Sequence, residues 1–224
     1  MRKRTFRIAT AVVLLTMAFV LAFIALRDQS QDVLQLPLFG SDQTSGTTKD
    51  STRPVVTPAS LECSTDPQPV DDPVSITLVR QGMTMPVLSL GQDGSSAAAA
   101  PPNNESHTVA WFNEGPKVGS DMGKVVLSSH TFRFGGALGN ELNDGLLDVG
   151  DVVLITGSDG SNICYRYSSS LHVIEADYDP HSDIVYDYTG APQFALVVCS
   201  DYDSAGNALG RMIYYGDLMS GDAA

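Results

Sequence analysis

The sequence predicts a mainly β protein: an eight-stranded β-barrel with short helices, preceded by one N-terminal transmembrane helix. Two observations lead to the barrel. Residues 73–224 consist of short apolar runs separated by Gly, Asp, Asn and Pro, which is typical of strands and turns. Few stretches have the 3.6-residue periodicity of a helix, and eight short strands favour a closed barrel or a sandwich. The third observation is a long apolar run near the N-terminus.

The strands can be placed from these apolar runs. VVLITG and NICYRY, joined by SDGS, form the clearest hairpin. The alanine-rich stretch at residues 94–104 is of low complexity, and we interpret it as a surface excursion. The expected strands are Val74–Val79, Pro86–Leu90, Thr108–Phe112, Lys124–Ser129, Asp151–Thr156, Asn162–Ser168, Ala195–Ser200 and Arg211–Tyr215.

Residues 8–26 form an uncharged apolar segment that is long enough to cross a bilayer as a helix. Residues 1–7 contain four basic side chains and no acidic one, so the positive-inside rule predicts a cytoplasmic N-terminus and an extracellular remainder. A cleaved signal peptide is the alternative, but no small-residue cleavage site follows Leu26. We therefore expect a single-pass anchor in the cell membrane.

Residues 27–72 form the expected extracellular linker between this anchor and the domain at 73–224. They are rich in Ser, Thr, Pro, Asp, Gln and Gly, and such a segment buries too little apolar surface to offset its chain entropy. The whole chain has 26 acidic and 13 basic residues, a net charge of −13. This balance argues against a nucleic-acid partner, because there is no basic surplus to neutralise phosphates.

Three residues at strand ends are candidates for chemistry. Cys199 closes the run FALVV, His130 follows KVVLSS, and Arg211 begins RMIYYG. If the strands of Cys199 and Arg211 pair antiparallel, the two residues stand together at one rim of the sheet. Each residue alone is more often a structural or surface residue, so the hypothesis depends on all three together.

Such a trio suits acyl transfer through a thioester. A thiolate attacks a carbonyl, an imidazolium favours the thiolate and later protonates the leaving amine, and a guanidinium donates hydrogen bonds. Those bonds stabilise the oxyanion or orient the substrate. The roles are therefore nucleophile for Cys199, general acid for His130 and stabiliser for Arg211.

The domain resembles the sortases, membrane-anchored cysteine transpeptidases of mainly Gram-positive bacteria with an eight-stranded β-barrel. The resemblance covers residues from about 73 to 219. The matches are GKVVLSSH for the strand that ends at the family's His, FALVVC for the strand that ends at its Cys, and RMIYYG for the strand that opens with its Arg. They carry the catalytic roles over to His130, Cys199 and Arg211. WFNEGPKVG and the single N-terminal anchor look most like the class F and class E sortases of actinobacteria.

The resemblance implies a function and its partners. A secreted protein with an LPxTG-like C-terminal signal would be cut between Thr and Gly, and an amine of a cell-wall precursor or a pilin lysine would take over the acyl group. We expect no cofactor: some sortases are activated by calcium, but their calcium ligands cannot be aligned with residues of this sequence. One departure from the family pattern stands beside the nucleophile, where Val198 replaces the usual Thr. It gives weight to the alternative of an inactive sortase-like barrel that serves as a surface binding or scaffolding module.

Two other classes of cysteine enzyme fit the sequence less well. L,D-transpeptidases place His and Cys within a few residues, and papain-like hydrolases place Cys before His, so the order here fits neither. Asp177, Asp179 and Asp183 resemble a calcium loop, but the Gly and the terminal Glu of an EF-hand are absent. Cys63 and Cys164 could pair in an oxidising compartment, which would leave Cys199 free. At this point that pairing is open.

Overall fold

A computed structural model describes residues 62–221, which contain eight strands, one short α-helix and one 3₁₀ turn. The predicted anchor at residues 8–26 and most of the predicted linker lie outside the described residues. Within residues 62–221 no helix is both long and apolar enough to cross a membrane. The elements are β1 (Pro73–Leu78), β2 (Met83–Leu90), β3 (Val109–Phe112), β4 (Lys124–Ser129), α1 (Leu138–Asn143), β5 (Val152–Gly157), β6 (Asn162–Ile174), the 3₁₀ turn (Glu175–Asp177), β7 (Gln193–Tyr202) and β8 (Ala208–Leu218).

The strands close into a barrel in the order β1-β2-β3-β4-β7-β8-β6-β5, with β5 returning to β1. Two neighbouring pairs, β2–β3 and β4–β7, are parallel, and the other pairs are antiparallel. The predicted eight-stranded barrel is confirmed. Closure removes the unpaired edges that an open sheet of this length would expose.

Side chains that alternate between the two faces of the strands form two separate apolar clusters. Leu127, Leu196 and Tyr214 point into the barrel, where they join the largest cluster of buried residues. Their neighbours Val126 and Ile213 point outward and pack in a second cluster, beneath the segment that follows β6. Because successive side chains of a strand alternate between faces, the outward-facing set forms the floor of a groove on the outside of the barrel.

The structure extends β2, β6, β7 and β8 beyond their predicted ends, and β6 the furthest. β6 continues to Ile174 and β8 begins at Ala208. The serines at the middle of β6 resemble a turn in the sequence, but they mark a bulge where the register with β8 shifts between Tyr167 and Ser169. A bulge adds a residue and bends the strand without ending it. The far half of β6 is largely exposed, so it lacks the apolar alternation that predicts a strand.

Packed structure also precedes β1, in residues that the sequence assigned to the linker. Val70 is buried and pairs with Val118 across a β-bridge. Cys63 and Cys164 form a disulfide with Cα atoms 5.4 Å apart, and the Ser64 amide donates to the Asn162 carbonyl (2.9 Å). The sequence could not place this segment because its contacts are with residues far along the chain, such as Val118 and Cys164.

Candidate active site

Cys199 and Arg211 face each other across the antiparallel pair β7–β8, as the sequence predicted. They are direct partners in the register. Cys199 is half-buried and is the free cysteine, since the other two are bonded to each other. Both side chains share the outward face with Val197 and Ile213, which place the pair at one end of the groove floor.

His130 reaches the same place through the parallel pair β4–β7. The register aligns Leu127 with Leu196 and Ser128 with Val197, and extending it by two residues brings His130 beside Cys199. Side chains two residues apart on a strand point to the same side. Val126 and Ser128 line the groove, so the same alternation, continued past the end of β4, points His130 to the groove side of the sheet. His130 directly follows β4, whereas Cys199 and Arg211 lie within β7 and β8, a few residues inside the strand ends that the sequence predicted. The three candidates, far apart in sequence, therefore lie near one end of three adjacent strands.

The short helix α1 holds the ends of β4 and β7 together. The Gly139 amide donates to the His130 carbonyl (2.8 Å), and the Asn143 side-chain amide donates to the Cys199 carbonyl (3.0 Å). The Thr131 hydroxyl donates to the same carbonyl (2.9 Å). A Cβ at position 139 would lie 2.5 Å from the His130 carbonyl oxygen, so only glycine permits the helix to approach this closely.

Arg211 has an acidic partner that the sequence analysis did not identify. Its Nη2 lies 3.0 Å from Glu175 Oε2, at the start of the 3₁₀ turn, and the side chains are 34% and 60% exposed. Its Nη1 donates to the carbonyl of Gly210 (2.8 Å). With five N–H donors, the guanidinium keeps further donors for a ligand in the groove. An ion pair this exposed contributes at most about 1 kcal/mol.

Tyr202 adds a polar contact beside the thiol. Its hydroxyl donates to the Thr131 carbonyl (2.7 Å), one residue after His130. Burial raises the pKa of Tyr202, the nearby Cys199 raises it further, and Arg211 opposes this. The phenol therefore stays protonated and remains a hydrogen-bond donor. It ties the segment after His130 to the end of β7.

The groove itself has a volume of about 410 Å³. Its floor is apolar, with Val126, Val197 and Ile213, and Cys199 and Arg211 stand at one end. Residues after β2 and residues after β6 form its walls, among them Ala98 and Tyr186. An extended aliphatic chain fits such a channel, and the adjacent thiol and guanidinium supply a nucleophile and hydrogen-bond donors.

Val198, the departure beside Cys199, is 1% exposed and packs in the interior cluster with Leu196 and Tyr214. Within residues 62–221 no group of three or more His, Cys, Asp or Glu side chains is placed to hold a metal ion. The absence of a cofactor stays a prediction.

The other three histidines lie in different surroundings from His130. His107 contacts Glu141 (3.0 Å), His172 contacts Asp201 (2.5 Å), and His181 is exposed. None of the four histidines is among the residues that line the groove; His130 is distinguished by its contact with Pro101 and by its position after β4, the strand beside Cys199. The sequence offers no motif for the other three. His172 pairs with Met212, next to Arg211 on β8, and its ring contacts Asp201.

A free, half-buried thiol at the end of an apolar groove on a closed barrel is the arrangement expected of an enzyme with a cysteine nucleophile. The family model of the Sortase domain matches residues 76–219, more than half of the chain. The chain belongs to the sortase family, whose members are cysteine transpeptidases. A comparison with the curated proteins finds no match.

Three solved structures that are similar to this chain are sortases. Sortase C1 of Streptococcus agalactiae, in complex with MTSET, is 18% identical; the match covers 67% of this chain and 70% of that one, with a TM-score of 0.49. Sortase C-1 of Actinomyces oris is 19% identical, with 68% and 75% covered and a TM-score of 0.48. Sortase A of Corynebacterium diphtheriae is 16% identical, with 69% and 62% covered and a TM-score of 0.48. The likeness to class F and class E sortases stays a prediction.

Proposed function

We propose that this sortase cleaves an LPxTG-like C-terminal sorting signal and transfers the protein to an amine of the cell wall or of a pilin. The observation that supports the proposal is the pairing of Cys199 with Arg211 at one end of the groove, with His130 directly following the neighbouring strand β4. The groove takes the extended signal peptide, whose apolar side chains pack on its floor. The Thr carbonyl of the signal then lies at the thiol.

The reaction has two halves. In the first, the Cys199 thiolate attacks the Thr carbonyl carbon, and Arg211 donates hydrogen bonds to the oxyanion. The C–N bond breaks, and the imidazolium of His130 gives its proton to the departing Gly amine, which leaves a thioester. In the second, an acceptor amine attacks the thioester, His130 takes the amine proton, and the C–S bond breaks to release the thiolate and the new amide.

The predicted N-terminal anchor supports this function. It would hold the enzyme, the membrane-retained substrate and a lipid-linked acceptor at one surface, which raises their effective concentrations. We therefore propose a single-pass protein with its catalytic domain outside the cell. The predicted likeness to class F and class E sortases belongs to the same proposal.

Covalent capture tests the assignment. The full-length chain is incubated with a pooled library of LPxTG-like peptides without added amine, and its mass is measured after denaturation in acid. We expect an adduct on Cys199 equal to the peptide up to Thr, which disappears when an amine is added and a new peptide–amine product forms. Cys199→Ala should form neither. An adduct of equal yield on Cys199→Ala would overturn the assignment.

The scaffold alternative gives a different result in a second measurement. An active-site thiol reacts faster with methanethiosulfonate than a buried structural one. Because Cys63 and Cys164 are bonded to each other, the reagent reports on Cys199 alone. A chain that neither forms the adduct nor reacts with the reagent in the folded state would be the inactive barrel.

A further inference from the structure

The alanine-rich segment between β2 and β3 is a folded hairpin, here called the alanine hairpin (residues 91–101). The Asp93 carboxylate accepts hydrogen bonds from the Ser95 amide (2.7 Å) and the Ala97 amide (3.1 Å). The Ala99 amide donates to the Gly91 carbonyl (3.0 Å), so the two arms are paired. The predicted surface excursion is therefore an ordered element.

Two side chains fasten the alanine hairpin across the groove. The Ala98 amide donates to the hydroxyl of Tyr186 (2.9 Å), in the segment that forms the opposite wall. The Ser128 hydroxyl donates to the Ala99 carbonyl (3.0 Å) from the groove floor. The hairpin thus bridges both sides of the channel that ends at Cys199.

The end of the alanine hairpin contacts His130 directly. His130 Nε2 lies 2.7 Å from the carbonyl oxygen of Pro101. A carbonyl oxygen only accepts hydrogen bonds, so this contact requires the proton on Nε2. The nitrogen left for proton exchange is then Nδ1, since the hydrogen bond at one ring nitrogen sets the state of the other.

The Pro101 carbonyl is a rigid acceptor. The ring of Pro101 fixes its own φ, and Pro102 restricts the ψ of the residue before it to the extended region. Pro101 is also buried, whereas Pro102 is exposed. Both torsions that aim this carbonyl are therefore constrained by covalent structure, and the Ala99 and Ala98 contacts anchor the segment just before it.

We propose that the alanine hairpin is a positioning element for His130: the Pro101 carbonyl holds the imidazole through Nε2–H and so presents Nδ1 to Cys199 and the leaving amine. When Cys199 loses its thiol proton, Nδ1 takes it and the ring becomes an imidazolium with both nitrogens protonated. The Nε2–H bond to Pro101 persists through this step. Nδ1 then gives the proton to the amine of the departing Gly, and the ring returns to its first state.

The test uses the full-length chain with ring-¹⁵N histidine, and its first readout does not depend on the proposed function. We expect a slowly exchanging, downfield ring N–H proton that couples to Nε2 of His130 and disappears in His130→Gln. Ser128→Ala removes the bond to Ala99, and Pro102→Ala frees the ψ of Pro101 without altering a groove side chain. In the double variant the resonance should be lost to solvent exchange.

The second readout, kcat for an LPxTG-like peptide, depends on the proposed function. A positioned acid–base group accelerates a reaction by roughly 10²–10⁴-fold. We expect kcat of the double variant to be about tenfold lower than that of the wild type, because part of this acceleration is lost. Ser168→Ala and Pro180→Ala are the matched controls, since Ser168 also donates to a backbone carbonyl (3.3 Å) and Pro180 is an exposed loop proline. Both should keep the resonance and kcat.

The two readouts distinguish a failure of the positioning role of the alanine hairpin from a failure of the proposed function. If the wild-type chain has no protected Nε2–H at His130, the proposal is wrong, even if the enzyme cleaves peptide. A resonance that survives in the double variant with unchanged kcat also overturns it. If no peptide is cleaved but the resonance is present and lost as predicted, the positioning contact stands and the proposed function fails.

Discussion

Breaking the Cys63–Cys164 disulfide should destabilise the domain by an amount that follows from the loop it closes. The two cysteines are 101 residues apart. In the chain-entropy model, a cross-link over a loop of this length lowers the entropy of the unfolded chain by an amount worth about 4.7 kcal/mol at 25 °C. For a domain of this size each kcal/mol moves Tm by about 2–4 °C, so Tm should fall by roughly 9–19 °C.

The native contacts around the disulfide explain why this loss should come from the unfolded state. Besides the disulfide, the Ser64 amide bonds to Asn162 (2.9 Å) and the Gly221 amide bonds to Thr65 (2.8 Å). These hydrogen bonds keep the segment before β1 in place after reduction. The folded domain therefore changes little, and activity at low temperature should be retained.

The assay is calorimetry of the full-length chain in a Cys199→Ala background, which prevents thiol exchange. Cys63→Ser is compared with its parent under oxidising conditions, and both are repeated with reductant. Parent and variant should have the same Tm when reduced, because the parent then lacks the same cross-link. A loss in the free energy of unfolding below about 1 kcal/mol, or a variant that differs from the reduced parent, would refute the entropic account.

Two other predictions concern charged pairs, Glu175–Arg211 at the groove and Asp187–Lys124 at the start of β4. Glu175→Gln releases Arg211 from an ion pair worth about 0.2–1 kcal/mol, so kcat/KM for a sorting peptide should rise by about 1.5–5-fold. High salt should reduce the difference in kcat/KM between variant and wild type, because salt screens the exposed ion pair. A fall in kcat/KM for the variant would contradict this prediction. Asp187→Asn concerns a carboxylate whose pKa the Thr189 amide and the Lys124 ammonium hold below its usual value of 3.8, while burial opposes them. A carboxyl group whose pKa is lower in the folded state stabilises that state at pH values above its pKa in the unfolded chain. This stabilisation is lost as the pH falls through the pKa of the folded state. The wild type should therefore have a higher Tm than the variant near neutral pH, and the two Tm values should converge below about pH 4; a Tm difference that does not change with pH would contradict this.

The strands and their order along the chain could be predicted because most have one apolar face. Lys124–Ser129 is predicted at its observed bounds, since its valines and leucine are all buried. The far half of β6 could not be predicted, because Leu171 and its serine neighbours are exposed and have no apolar face to reveal a strand. Local pattern therefore identifies a strand only where the barrel covers it.

Some contacts of the candidate site could also be predicted from the sequence, whereas others could not. Cys199 and Arg211 could be paired in advance because their strands are consecutive and antiparallel. Glu175 and Pro101 could not be identified, since their contacts with Arg211 and His130 join parts of the chain that no local pattern connects. Helix α1, too short to have a clear periodicity, gives no sequence signal for the bond from Asn143 to the end of β7.

The parallel pairing of β4 with β7 is the feature on which the site depends most. Because side chains alternate with a period of two, a slip of β7 by one residue would turn Cys199 into the barrel and Val198 out to the groove. Val198 opposes that slip, since it is 1% exposed and packs with Leu196 in the interior. Exposing it would cost about 1.5–3 kcal/mol of apolar burial. The apolar residue that departs from the family pattern therefore strengthens the register that places Cys199 beside His130.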